Sequence, residues 1–273
     1  MANQVLPTLR PDLIAALTWM LSMKYDEFGE LLLSRYKSCS DRDGSQAFDS
    51  ILSIHQYYRL YELLEKYGAP DDAVLDWGCG SGHFSLFLAS RRFRAHGFGF
   101  SPPELIANEI ESGAVDFRLG QAAEPTKLPY DDATFDLVVS VGVLEHVREY
   151  GGDEGGSLSE IRRVLKPGGH FICVHFPNRW SWIEALSQAL GRWHHRYRYE
   201  KKEILGLFGD AQFTLLECAR YGIFPRNIFG KILPPRLRRS QSVAKAFDFF
   251  DAVFSIPFRP ICQNWLVVAK NKS

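Results

Sequence analysis

Cysteine is scarce and poorly placed for cross-links. The five cysteines, Cys39, Cys79, Cys173, Cys218 and Cys262, are odd in number and scattered through 273 residues, with no Cys-x-x-Cys pair and no Cys/His ligand spacing. That pattern argues against a disulfide framework and a structural zinc, and a reducing cytosol is the compartment expected. Net charge is missing as well: 32 basic and 32 acidic residues cancel, so no global field draws the chain to nucleic acid or an anionic surface. Long apolar runs are absent too. The stretch 13–23 has about half the length that a bilayer crossing needs. Arg10 is its only preceding charge before Asp12, and no small-residue cleavage site follows as a secretion signal would require. With Asp12 as N-cap the stretch reads as an amphipathic cap helix, a membrane-surface helix being the alternative. No internal repeat or low-complexity tract interrupts the chain.

What is present is an ordinary globular composition, 46% hydrophobic and 23% charged, long enough for one domain with appendages. Residues 51–67 carry apolar side chains at helical spacing and end at Gly68 with Pro70 beyond. The period then changes. Short apolar strands are predicted at 73–76, 95–100, 115–119, 135–141 and 170–175. Helices are predicted up to about Ser90, from Ser101-Pro102 with Ser101 as N-cap, and over 158–165, and Lys166-Pro167-Gly168-Gly169 reads as a turn. Strands alternating with helices imply a parallel, doubly wound sheet. A helix near 201–208, a strand near 213–221 and a last strand at 265–270 complete it, the last two as a hairpin-like pair. The connection between them is long enough to carry structure of its own.

The loop Trp77-Gly78-Cys79-Gly80-Ser81-Gly82 joins the first strand to a helix. Its glycines let backbone approach a ligand at a helix start. No Gly-Lys-Ser/Thr follows, so it is not a Walker loop. A dinucleotide fingerprint would need a third glycine where His83 stands.

Four ordered segments, spanning residues 73–177, carry a resemblance. Val-Leu-Asp-Trp-Gly-Cys-Gly-Ser-Gly at 74–82, Leu-Pro-Tyr-Asp-Asp-Ala-Thr-Phe-Asp-Leu-Val-Val-Ser at 128–140, Leu-Glu-His-Val at 144–147 and Arg-Val-Leu-Lys-Pro-Gly-Gly at 163–169 resemble the class I S-adenosylmethionine-dependent methyltransferases. The resemblance implies an α/β fold with a seven-stranded, mostly parallel, Rossmann-like sheet. The chain would then be one domain: a helical cap at 1–50, a cofactor-binding core at 51–178, and lid segments with closing strands at 179–273. S-adenosyl-L-methionine is the implied cofactor. Its implied contacts are Asp76, Gly78, Cys79, Gly80 and Gly82 in the loop, Gly99 and Phe100 after the second strand, Gln121 and Ala122 after the third, and Ser140 and Val141 ending the fourth.

One position departs from the family. Where its members carry an acid that grips the ribose hydroxyls, commonly in Gly-x-Asp-x-Ser, this chain reads Gly97-Phe98-Gly99-Phe100-Ser101. Glu104 through water, or the loop with Asp76 and an aromatic wall of Phe98 or Phe100, are candidate substitutes. Loss of turnover, leaving a partner or scaffold protein, is the alternative from another class. Glu145 and His146 follow the fourth strand, where acceptors sit in this fold, and are the candidate catalytic pair; His175 is a candidate substrate-side residue. The cyclopropane-forming fatty-acid methyltransferases also carry Glu-His here. His194 and His195, among Arg192, Arg196 and Arg198, read as lid surface, and no metal is expected.

Specificity is expected outside the shared core. Residues 179–199 interleave Trp180, Trp182, Trp193, Tyr197 and Tyr199 with arginines, and 222–247 hold Arg226, Lys231, Arg236, Arg238, Arg239 and Lys245 without an acid. Phe247, Phe249, Phe250, Val253 and Phe254 form an apolar face at helical spacing. The function expected is methyl transfer, at oxygen, to a small-molecule or lipid-linked acceptor by a cytoplasmic protein. Contact with a membrane surface through 222–254 is the further expectation, and nucleic acid is not expected as a partner.

Overall fold

The computed structural model describes residues 25–38 and 48–272; the predicted cap helix at 13–23 and Cys39 lie outside them. Seven strands form one sheet: β1 Ala73–Trp77, β2 Arg94–Gly99, β3 Val115–Leu119, β4 Phe135–Val141, β5 Leu165–Pro177, β6 Phe213–Tyr221 and β7 Asn264–Asn271. Their order is β3-β2-β1-β4-β5-β7-β6. The pairings from β3 to β5 are parallel, and β7 runs antiparallel to both neighbours, as expected. The order reverses at β1, which turns the carboxyl ends of β1 and β4 into the crevice where ligands bind in such sheets.

Strand β1 is buried at every position, as is almost all of β4, because helices cover both faces. One face carries Val74, Val139, Ile172 and Leu266 under the helix His83–Ser90 and the aromatic cap Tyr25, Phe28, Tyr58 and Tyr61. The other carries Leu75, Val138, Phe171 and Val267 under Leu158, Ile161, Ile204 and Phe208. The four described cysteines are free.

Two local expectations are corrected, and one helix is added. Lys166-Pro167-Gly168-Gly169 lies inside β5 as an irregularity where the register with β4 shifts; Gly168 absorbs it at φ +80. Ser101 does not cap a helix, because it lies in a bend, Pro103 is extended, and a short 3-10 turn, Glu104–Ile106, precedes the helix Ala107–Glu111. An unforeseen helix, Trp182–Ala189, starts at Ser181, whose hydroxyl accepts from the Glu184 amide at 3.3 Å.

The connection from β6 to β7 is largely helical, with Arg226–Ile232, Pro235–Arg238 and Gln241–Ser255. Its basic residues are less free than the sequence implied. Arg226 pairs with Asp248 at 2.5 Å, Asp248 also holds His55 of the turn His55–Tyr57 at 2.7 Å, and Lys245 pairs with Asp26. Phe247 packs inward against the core, while Phe249, Phe250, Val253 and Phe254 are exposed.

Candidate functional site

The glycine loop is shaped by its dihedrals. Gly78 and Gly82 have φ +74 and +86, and a Cβ on Gly78 would stand 2.6 Å from the Val143 methyls. A side chain there is excluded on both counts. That contact also locks the loop after β4 onto the loop after β1. At Gly80, φ +51, a Cβ would meet nothing nearer than the Gly78 carbonyl at 4.0 Å, so bare backbone faces open space beside the helix start. A ligand with a carboxylate and a ribose fits that cradle.

Asp76, ending β1 beside the loop, is 2% exposed. Its Oδ2 accepts from the Ser85 amide at 3.0 Å and the Ser85 hydroxyl at 2.7 Å. It therefore braces the helix it faces. Burial pushes its carboxyl up to about 7 against those two bonds. A cationic amino group brought to it would favour the ionised form.

Gly99 has no strain that requires glycine. A Cβ would lie 3.6 Å from the Ser101 carbonyl and 3.7 Å from Cys79 Sγ and Phe117, all ordinary contacts. The missing acid is thus a chemical choice and not a steric one. Of the aromatic substitutes, Phe98 is buried in the core and is unavailable. Phe100 is 41% exposed and stacks on Tyr150, with centroids 5.6 Å apart and planes at 14°. The Phe98 and Phe100 rings both sit beside Gly120, where a Cβ would come within 2.8 Å of each. Gln121 and Ala122 follow as exposed loop residues, as does Glu104 at the turn beyond β2. Ser140 is buried near the carboxyl end of β4 and pairs in register with Trp77, with Val141 following it.

The turn after β4 uses Gly142 at φ +66, whose amide donates to the Val174 carbonyl at 3.0 Å. It places Glu145 and His146 on a 3-10 segment, Leu144–Tyr150. Glu145 is 2% exposed; burial raises its carboxyl to about 8, and Oε2 has no hydrogen-bond partner. His146 Nδ1 lies 3.1 Å from Glu149, not against Glu145.

His195 is not lid surface. Its Nδ1 lies 2.9 Å from Glu184 and its ring 5.6 Å from that of His146. The segment carrying it is pinned by Tyr199, which is buried, bonds Glu154 and accepts from Trp265 Nε1 at 2.9 Å. Arg148 covers Tyr197 at 4.8 Å. Two of the interleaved aromatics are therefore structural. Trp180 and Trp193 remain exposed.

His175 lies within β5, an inner strand, in a left-handed conformation, φ 60, where the register with β7 shifts. A non-glycine residue held there points to a functional constraint. Its amide donates to the Tyr221 hydroxyl at 2.8 Å, and its Nδ1 lies 3.3 Å from the same oxygen and 3.4 Å from Asn264 Nδ2. Burial first, then Arg226 and His195, lower its pKa to about 4. Asn264 can only donate through that nitrogen, so Nδ1 is the acceptor and Nε2 carries the proton.

Beside His175 opens a cavity of about 280 Å³, lined among others by Tyr58, Arg59, Tyr221, Phe224, Asp248 and Asn264. Residues 55–62, the connection from β6 to β7 and the sheet all contribute to its wall. Tyr57 separates it from the glycine loop: its ring is 5.5 Å from His175 and 4.2 Å from His83, the first residue after the loop. His83 is held neutral, lowered to about 3 by burial and then His175, and its Nε2 is unpartnered. In sequence His83 mattered only as a missing glycine. The adjacency of Tyr57, Tyr221 and Glu184 to the site had no sequence signal, because each arrives from a distant element.

A methyltransferase-domain family model matches residues 75–173. A protein of Mycolicibacterium smegmatis named as an S-adenosylmethionine-dependent methyltransferase is 28% identical over 217 residues, covering 74% of this chain and 78% of its own. A demethylmenaquinone methyltransferase of Lactiplantibacillus plantarum is 32% identical over 133 residues, covering 45% and 53%. A protein of Oryza sativa named for tocopherol O-methylation is 34% identical over 137, covering 45% and 36%. The chain thus spans most of the first but only about half or less of the other two. Among solved structures, a methyltransferase of Methanosarcina mazei has a TM-score of 0.53 at 19% identity, covering 78% of this chain and 98% of that one. The [4+2]-cyclase SpnF has 0.55 at 20%, covering 93% and 96%. These two share the fold.

Proposed function

We propose that this chain, which carries an S-adenosylmethionine-dependent methyltransferase domain, methylates a small or lipid-like acceptor at oxygen, with the acceptor in the cavity beside His175. The observation that carries the reading is the position of that cavity. It opens at the carboxyl end of the sheet, one tyrosine ring away from the glycine loop. S-adenosylmethionine, held there, would supply an electrophilic methyl on a sulfonium for an acceptor lone pair, with a thioether as the leaving group.

The protein's part is positioning and one proton. Asp76 and the loop backbone hold the methionine end, and Phe100 with Tyr150 offers an apolar face to the nucleoside end in place of the missing acid. His175 presents Nε2–H to the acceptor and is too weak a base to take its proton. His146 suits that task, since Glu149 beside Nδ1 leaves the lone pair on Nε2. The relatives named for tocopherol and demethylmenaquinone support an apolar acceptor. So do the exposed Phe249, Phe250, Val253 and Phe254, which we read as the face that meets a membrane surface. Among the described residues no helix is long and apolar enough to cross one.

Labelled methyl transfer into a cell extract, followed by identification of the product, tests the reading. A labelled lipid or phenol, with His146→Gln reducing kcat about 10²- to 10⁴-fold, is expected. Donor binding with no labelled product from any extract overturns it. That outcome favours the second reading, a protein of this fold without methyl transfer, to which Gly99 and the likeness to a cyclase lend support.

A further inference from the structure

We propose that Glu145, His146 and His195 bind a divalent transition-metal ion at the turn that follows β4. Each offers a ligand atom, and these atoms lie within 4.8 Å of one another. An equilateral triangle of that edge puts its centre about 2.8 Å from each corner, so small side-chain rotations bring all three to the 2.0–2.2 Å of nitrogen and oxygen ligands.

Two further observations point to an ion. The Glu145 carboxylate is 2% exposed and its Oε2 has no hydrogen-bond partner; a buried carboxyl oxygen is ordinarily satisfied by a donor or a cation. Each histidine also has a carboxylate at Nδ1, Glu149 at 3.1 Å for His146 and Glu184 at 2.9 Å for His195. Glu184 grips the residue twice, its other oxygen accepting from the His195 amide at 2.8 Å. A carboxylate at Nδ1 fixes the tautomer and leaves Nε2 as the donor lone pair, the arrangement found behind metal-bound imidazoles. The pairing is not a product of sequence adjacency. Glu145 and His146 follow β4, whereas His195 comes from beyond β5 on a segment anchored separately by Tyr199 and Tyr197.

Two imidazoles and one carboxylate suit zinc, manganese, iron(II) or cobalt(II) better than magnesium or calcium. Three protein ligands leave positions open for an oxygen of the acceptor. With the ion on Nε2, His146 is a ligand and not the free base proposed above, and the ion instead polarises the acceptor O–H so that its proton leaves to solvent. The sequence places His195 among arginines, with no metal expected, but the fold brings Glu184 and Glu145 to it. The inference rests on the proposed methyl transfer only for calling this the acceptor side; metal binding itself needs neither donor nor acceptor.

The test is to titrate Co²⁺ and Zn²⁺ into the full-length, chelator-treated protein, following cobalt absorption and the heat of zinc binding. One ion per chain is expected. His146→Gln and His195→Gln should each weaken it by a hundredfold or more, and Glu184→Gln, a positioning change, by about 10- to 100-fold. Magnesium should not compete. Both histidines are partly exposed, so their variants should fold even if Glu145→Gln does not, and circular dichroism checks this. Absence of stoichiometric binding, or binding indifferent to both histidine variants, overturns the proposal. Methyl transfer unaffected by chelator with no ion bound would remove this site and leave the proposed function standing. A bound ion without methyl transfer would do the reverse.

Discussion

Restoring the missing acid is the most direct probe of the donor site. In Gly99→Asp the new Cβ has room, with its nearest neighbours at 3.6 and 3.7 Å. The backbone there is not in the region reserved for glycine, so no large strain is added. A carboxylate accepting from ribose hydroxyls contributes about 1.5–3 kcal/mol. At about 1.4 kcal/mol per decade, S-adenosylmethionine should bind roughly 10- to 100-fold more tightly than to the parent. The unliganded variant should be less stable, because Gly99 is buried beside Cys79 Sγ and the new charge lacks a partner until donor arrives. Saturating donor should then raise its melting temperature more than the parent's. Calorimetric titration and thermal scans on parent, Gly99→Asp and Gly99→Ala read this out, the alanine separating the added volume from the added charge. A folded Gly99→Asp that binds donor no better than Gly99→Ala would refute the assignment of this position to the ribose.

Other outcomes follow from the same geometry. Gly78→Ala should abolish donor binding and cost about 1–3 kcal/mol of stability, from its positive φ and the 2.6 Å approach to Val143, measured by chemical denaturation. Asp76 titrates near 7 when folded and near 3.8 otherwise, so the stability it contributes is full below about 4 and is lost as pH rises through about 7. Asn can keep both bonds on the corresponding oxygen, so Asp76→Asn should gain on the parent by up to about 4 kcal/mol between pH 4 and 8, seen in melts across pH. His83, depressed to about 3, contributes stability that is present above about 6.5 and lost as pH falls toward 3; His83→Phe should blunt acid unfolding in the same melts. Phe250→Glu with Phe254→Glu should cut co-sedimentation with anionic vesicles at low salt without changing donor affinity, and equal sedimentation would count against the membrane-facing lid.

The sheet was legible because burial on both faces writes continuous apolar runs and the glycine loop punctuates the first of them. Strands β3, β4 and β6 lie where the residues placed them. Less legible was anything set by long-range partners. Ser101 looked like a cap, but it lies in a bend and Pro103 beyond it is extended. The Lys-Pro-Gly-Gly stretch looked like a turn, but pairing with β4 and β7 holds it in a strand. His195 looked like surface because its partners, Glu184 and His146, meet it only after the chain from β5 folds back over Tyr199. The setting of His175 was hidden because sequence order does not show that β7 inserts between β5 and β6.

That insertion of β7 has an evolutionary consequence. Tyr221 and Asn264 are direct partners across β6 and β7, and the Gln263 amide closes onto the Gly222 carbonyl at 2.7 Å. Residues 222–263 therefore leave and re-enter the sheet at a single point, like a cassette plugged into a fixed socket. Its length and sequence can change while the sheet register and the glycine loop stay as they are. New acceptors could be acquired by exchanging that cassette, with Arg226 and Asp248 as the latch to be rebuilt against His55.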